Sequence, residues 1–219
     1  MPLLPCVELN PATSATAAVI WLHGLGADGH DFEPIVPELG LPASLAVRFV
    51  FPHAPSIPVT INNGYRMPAW YDILDMDLER RADRAGLLES AARVAELIDR
   101  ERERGVPSER IVLAGFSQGG AVGLHLALTY PHRLAGLLAL STYFATGHDI
   151  DPNPASRELP IEVHHGSFDP LVPEALGRMT VERLHALGFE PTYRSYPMEH
   201  AVCAAQIADI GHWLRTRLG

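Results

Sequence analysis

The pentapeptide Gly115-Phe116-Ser117-Gln118-Gly119 joins two segments of opposite periodicity, and that junction limits what the chain can fold into. Upstream, Ile111-Val112-Leu113-Ala114 is an unbroken apolar run, the pattern of a strand buried on both faces. Downstream, the stretch from Gly120 to Tyr130 places Ala121, Leu124 and Leu128 at helical spacing. A strand that runs into a helix through G-x-S-x-G has to turn sharply, and glycines on both sides of the serine let it do so without Cβ clashes. The turn lifts the Ser117 hydroxyl above the sheet, at the positive end of a helix dipole. A Gly/Ser turn without those flanks would carry no such meaning.

The same alternation recurs along the chain. Residues 17–22, 46–51, 111–115, 134–140, 161–165 and 192–196 read as strands. Leu87, Ala91, Val94 and Ile98 recur at helical spacing until Gly105 and Pro107 stop them. Residues 117–130, 176–187 and 207–218 read as further helices, and 31–39 as a short one weakened by Pro34 and Pro37. Strand–helix alternation predicts an α/β fold, a mostly parallel sheet with helices on both faces. At 219 residues with no repeat, charge block or low-complexity linker, a single domain over 1–219 is expected. Residues 53–85 break the alternation and read as an irregular excursion, which in such a sheet belongs near the ligand-binding end. Its Met67 and Trp70 either wall a substrate groove or pin the loop to the core.

Composition removes several chemistries. Every one of the 17 basic residues is arginine, so a Schiff-base lysine, a pyridoxal phosphate anchor and a Walker A lysine are excluded. A formal net charge of -9 argues against nucleic acid as a partner. No apolar stretch reaches the length of a membrane span, two cysteines make no disulfide framework, and residues 1–5 lack the pattern of a secretory leader. A cytoplasmic protein is the expectation.

A serine hydroxyl needs a base to take its proton and a carboxylate to hold that base, and around an elbow of this kind the chain order is Ser, acid, His. Asp169 stands four residues past the strand that ends at His165, whereas Asp149 and Asp151 sit in a polar loop without such a strand. Of 11 histidines, His200 lies between the last strand and the last helix, where the third member belongs. His125, His185 and His212 fall inside helices, His164 and His165 end a strand, and His23 leaves the first. One oxyanion donor is the backbone N–H of Gln118, and the other is assigned to Leu25 in the glycine-rich loop His23-Gly24-Leu25-Gly26. That loop also matches G-x-G-x-x-G over Gly24 to Gly29, but no acid follows about 20 residues on, as a dinucleotide fingerprint requires. A metal site is disfavoured, because His164 and His165 point to opposite faces of a strand.

Taken together, His23-Gly24-Leu25-Gly26, Met67-Pro68-Ala69-Trp70-Tyr71-Asp72-Ile73, the Gly115–Ala121 run and His165-Gly166 with Asp169-Pro170-Leu171-Val172-Pro173 resemble the acyl-protein thioesterase and bacterial carboxylesterase family of α/β-hydrolases. The resemblance runs from about Ala17 to the C-terminus. It implies cofactor-free hydrolysis of carboxylic esters with short to medium acyl chains, and of thioesters, with small-molecule or lipid esters as substrates. Lysophospholipase or acyl-protein thioesterase activity, or a non-catalytic binding protein on the same fold, are the alternatives. It further implies no large cap domain, a homodimer, Ser117, Asp169 and His200 as the triad, Leu25 and Gln118 as oxyanion donors, and Trp70, Leu171 and Val172 along the acyl groove. Glu199 departs from the family, which usually carries a small residue there. A glutamate tolerates positive φ badly, so a different loop is expected.

Overall fold

The computed structural model describes residues 2–74 and 83–219. Its centre is a seven-stranded sheet in the order β1-β3-β2-β6-β7-β8-β9. The strands are β1 (Cys6–Leu9), β2 (Ala17–Leu22), β3 (Val47–Pro52), β6 (Ile111–Phe116), β7 (Gly136–Leu140), β8 (Ile161–Gly166) and β9 (Thr192–Tyr196). All neighbours run parallel except β1, which pairs antiparallel with β3. Two further strands, β4 (Ser56–Val59) and β5 (Tyr65–Pro68), form a separate antiparallel hairpin.

The middle of the sheet is buried on both faces, which is why β2, β6 and β7 are continuously apolar. One face, with Ala18, Ile20, Leu22, Leu113 and Val163, packs against α1 (Arg84–Glu103) and α2 (Gln118–Thr129), joined by Leu184 of α3 (Glu174–Ala186). The other, with Val19, Trp21, Phe49, Val112 and Leu138, packs against Ile207, Ile210 and Leu214 of α4 (Ala204–Leu218) and against Leu39. Helix α1 begins where the Asp83 side chain accepts from the Gly86 N–H, 3.1 Å away, and the chain leaves it through Gly105 at φ 92°. Among the described residues no helix is long and apolar enough to cross a membrane.

Topology fixes where a site can form. From β2 the chain steps to β3 on one side, and from β6 it steps to β7, β8 and β9 on the other. The exits of β2 and β6 therefore border one crevice, at the reversal of strand order where open α/β sheets bind ligands. The register aligns the ends: Leu22 pairs with Gly115, Phe116 with Leu140, Leu140 with His164 and Gly166 with Tyr196.

Three features differ from the sequence reading. Strand β1 was not anticipated. Residues 31–39 hold a 3-10 helix over Glu33–Leu39 with Pro37 inside it, closed by Gly40 at φ 58°. The excursion over 53–85 is not wholly irregular, since the β4–β5 hairpin lies within it and turns through Asn63 and Gly64 at φ 55° and 74°; residues 75–82 of it lie outside the described residues. Asp72 ties this excursion together by accepting from the Thr60 N–H at 2.7 Å.

Candidate active site

Ser117 stands between β6 and α2 at φ 53°, ψ −118°, a strained setting for a residue with a side chain. Strain of this kind, roughly 1–3 kcal/mol, persists only where the surroundings over-determine it. Here the Ser117 N–H donates to the Leu140 carbonyl at 2.9 Å, and the Ser117 carbonyl accepts from Thr142 Oγ1 at 2.6 Å and from the Gly120 N–H at 3.0 Å. The flanking glycines are obligatory by space: a Cβ on Gly115 would lie 2.4 Å from the Gly119 carbonyl oxygen, and one on Gly119 2.5 Å from that of His23.

The loop after β2 faces this turn. His23 is buried; its Nε2 accepts from the Ala54 N–H at 3.1 Å while its Nδ1 lies 2.7 Å from the Gly24 carbonyl. That pattern requires the tautomer with the proton on Nδ1, and burial pushes the imidazole pKa down, so the ring is a neutral pin. The Gly26 N–H donates to the Pro68 carbonyl at 2.8 Å. Among the described residues, no acceptor engages the N–H of Leu25 or that of Gln118, the first residue of α2. Both residues line a cavity of about 540 Å³ that also has Ser117 and His200 on its wall.

His200 lies in the loop between β9 and α4, with its ring 4.6 Å from that of Phe116. Its Nδ1 is 2.6 Å from Asp169 Oδ2. Asp169 Oδ1 accepts from the N–H groups of Leu171 at 2.9 Å and Val172 at 2.8 Å. Burial works to raise the Asp169 pKa, but the His200 hydrogen bond, the backbone donors and the imidazole's charge outweigh it and hold the carboxyl below its ordinary range. An ionised acceptor on Nδ1 leaves the Nε2 lone pair of His200 available to take a proton. Among the described residues no hydrogen bond joins the Ser117 hydroxyl to His200; in unliganded sites such bonds are commonly long and close on binding.

Behind Asp169 lies a second imidazole. His165 is fully buried, its Nε2 donates to the Val172 carbonyl at 2.8 Å, and it stands 3.8 Å from Asp169 Oδ2. Burial pushes its pKa down. The Val172 residue is thereby held at both ends, by Asp169 through its N–H and by His165 through its carbonyl. Helix α3 makes room for the ring at Gly177, where a Cβ would sit 2.3 Å from His165 Nδ1.

The structure thus gathers Ser117, His200, Leu25 and Gln118 around one cavity, with Asp169 behind His200. Leu171, 55 % exposed, lines its rim, and Val172 backs the wall. Trp70 and Met67 do not reach the wall. Trp70 is 2 % exposed; its indole N–H donates to the His23 carbonyl at 2.9 Å and its backbone N–H to Gln118 Oε1 at 2.8 Å. Its place is beneath the site, fastening the excursion to the elbow. Met67 pairs with Ile57 in the hairpin, and its sulfur accepts from Asn62 Nδ2 at 3.3 Å. Ile73, at the end of the Met67–Ile73 motif, lines the cavity in their stead together with Ile61, Asn62, Tyr143 and Asp31, which no local sequence signal marks. The Gln118 side chain has a second task missed in the sequence, since its Nε2 also donates to the Tyr71 carbonyl at 2.6 Å. Glu199 is not among the residues with positive φ, so its loop accommodates a side chain without that strain.

Comparison with known proteins agrees with the fold and places the chain in a family. A family model described as Phospholipase/Carboxylesterase matches residues 6–218. The chain is 42 % identical over 222 residues to acyl-protein thioesterase 1 of Neurospora crassa, covering 96 % of this chain and 91 % of the relative. It is 38 % identical over 231 residues to acyl-protein thioesterase 1 of Cryptococcus neoformans, covering 97 % of each. The crystal structure of Zea mays acyl-protein thioesterase 2 superposes with a TM-score of 0.86 at 26 % identity, over 98 % of this chain and 99 % of that one. With its parallel sheet, its strand-to-helix elbow and a match over almost its whole length, the chain belongs to the phospholipase/carboxylesterase family of α/β-hydrolases.

Proposed function

We propose that this hydrolase cleaves carboxylic esters and thioesters of short to medium acyl chains through an acyl-enzyme on Ser117. The observation that carries the reading is the 2.6 Å contact from His200 Nδ1 to Asp169 Oδ2, on a ring that shares a cavity with a strained elbow serine. His200 Nε2 takes the hydroxyl proton as Ser117 Oγ attacks the acyl carbon. The N–H groups of Leu25 and Gln118 donate to the oxygen that becomes negative. Collapse of the tetrahedral intermediate expels an alkoxide or thiolate, which leaves with the proton from His200. Water then attacks the acyl-enzyme with His200 again as base, releasing the carboxylic acid and restoring the serine. Asp169 holds the imidazole tautomer and stabilises its transient charge.

The thioester half of the proposal rests on the names of the fungal and maize relatives. Cytoplasmic placement and a homodimer belong to the same proposal and rest on sequence and family analogy. Ser117→Ala is expected to lower turnover of p-nitrophenyl butyrate by at least about 10³-fold while leaving the melting transition in place, and to abolish labelling by a fluorophosphonate. Wild-type labelling of the variant would remove Ser117 from the mechanism.

A further inference from the structure

We propose that Asp31 makes the cavity charge-selective: the groups it admits beside Ser117 are neutral or cationic, and esters or thioesters whose entering portion carries an anion are turned away. The inference rests on the serine-hydrolase reading of the site and adds a substrate class to it. Among the described residues Asp31 is the one carboxylate on a wall that also carries the apolar Leu25, Ile61, Ile73 and Phe116. Among the described residues no arginine lines the cavity, and the chain contains no lysine. The other titratable groups on the described wall are His200, engaged at Nδ1 by Asp169, and Tyr143, whose hydroxyl lies 2.8 Å from that of Tyr71.

Among the described residues Asp31 forms no ion pair. Its N–H donates to the carbonyl of Asp28, another acid, at 3.1 Å. The adjacent His30 is turned to Glu33, at 2.8 Å. Asp31 is exposed, and its partial burial, then the charge of Asp28, push its pKa up. Hydrolysis itself releases a carboxylic acid, which ionises at neutral pH, so the same wall charge favours departure of the product.

The size of the effect follows from the cavity. A compact space of about 540 Å³ is only ~10 Å across, so a charge anywhere within it lies within ~10 Å of Asp31. At that separation, an effective dielectric between that of a protein surface and that of water gives about 2- to 16-fold discrimination per unit charge.

The test compares kcat/KM for p-nitrophenyl hexanoate, for mono-p-nitrophenyl adipate, whose acyl chain ends in a carboxylate, and for the p-nitrophenyl ester of ω-trimethylammonio hexanoate. Asp31→Asn is expected to raise the adipate-to-hexanoate ratio by about 2- to 16-fold and to lower the ammonium-to-hexanoate ratio in the same range. In the wild type, salt at about 1 M, where the Debye length shrinks to ~3 Å, moves both ratios the same way, and in Asp31→Asn it leaves them flat. Ratios that stay within twofold in a folded Asp31→Asn protein, with hexanoate hydrolysis still dependent on Ser117, overturn the charge inference alone. Hexanoate hydrolysis that survives Ser117→Ala overturns the parent reading and this one with it.

Discussion

Replacing Gly119 by alanine would set a Cβ 2.5 Å from the His23 carbonyl oxygen and 2.7 Å from that of Leu22. Ordinary C···O contacts begin near ~3.3 Å, so the two chains have to part by roughly 0.8 Å. The opposing atoms are backbone at the end of β2, locked by the pairing of Leu22 with Gly115, and cannot swing aside. The first turn of α2 has to move instead, and it carries Ser117 and the Gln118 N–H away from the loop that holds Leu25. Overpacking of this kind costs about 1–3 kcal/mol. In a domain of this size each kcal/mol lowers Tm by about 2–4 °C, so a drop of roughly 2–12 °C is expected. Displacing one oxyanion donor costs about 10²- to 10³-fold in kcat. Gly123, one turn along the same helix, supplies the control: its Cβ would meet nothing closer than 3.5 Å. Gly123→Ala is expected to keep kcat and to hold or gain up to about 1 kcal/mol, since it only removes glycine's backbone freedom. Thermal melts and p-nitrophenyl ester kinetics on both variants decide the matter. A Gly119→Ala protein with wild-type Tm and kcat would refute the close-approach argument.

Two further perturbations probe the acid side of the triad. His165→Leu removes the donor to the Val172 carbonyl and is expected to lower kcat about 10- to 100-fold and to shift the kcat–pH profile, because it loosens the loop that holds Asp169; His165→Gln, which can restore that donor, is expected to recover most of the loss, and equal activity in all three proteins would deny His165 a positioning role. The Asp169 carboxyl binds its proton less readily folded than unfolded, so its contribution to stability is complete above the unfolded value of 3.8 and is lost as pH falls through the lower folded value. Urea melts across that acid range should show wild type losing stability relative to Asp169→Asn as pH drops, and parallel curves would contradict the assigned hydrogen bonds.

Most of the strands read from sequence are buried on both faces, although β9 is largely exposed. Every residue of β2, β6 and β7 is buried, and a continuous apolar run is the local signature of that environment. Strand β1 is four half-buried residues on the sheet edge, and its strand character comes from pairing with β3, some 40 positions away. The hairpin was hidden for a related reason. Pro58 and Pro68 argue locally against strands, yet this two-stranded ribbon has only edges, where a residue without an N–H is tolerated. Residues 33–39 show the opposite balance: their apolar spacing suggested a helix, and two prolines leave only the tighter 3-10 form.

The candidate triad was legible because its members occupy strand exits, and exits can be counted once strands are known. The cavity wall was not, because it depends on which way a side chain faces at the end of a long-range contact. Trp70 illustrates the difference. Its position within Met67-Pro68-Ala69-Trp70-Tyr71 suggested a wall, but the motif acts mostly through main-chain groups: the Pro68 carbonyl holds Gly26, the Trp70 N–H and Tyr71 carbonyl hold Gln118, and the Trp70 carbonyl accepts from Ser90. The indole N–H completes the clamp at His23, 47 positions away. A motif built on such contacts marks where two loops are fastened to each other, here the excursion to the elbow and to the loop after β2. The residues that meet the substrate are then whichever side chains the fastened loops leave facing the void. Some of those positions, Asp31, Ile61, Asn62 and Tyr143 among them, lie outside the motif, and they are where relatives sharing the elbow can differ in what they accept.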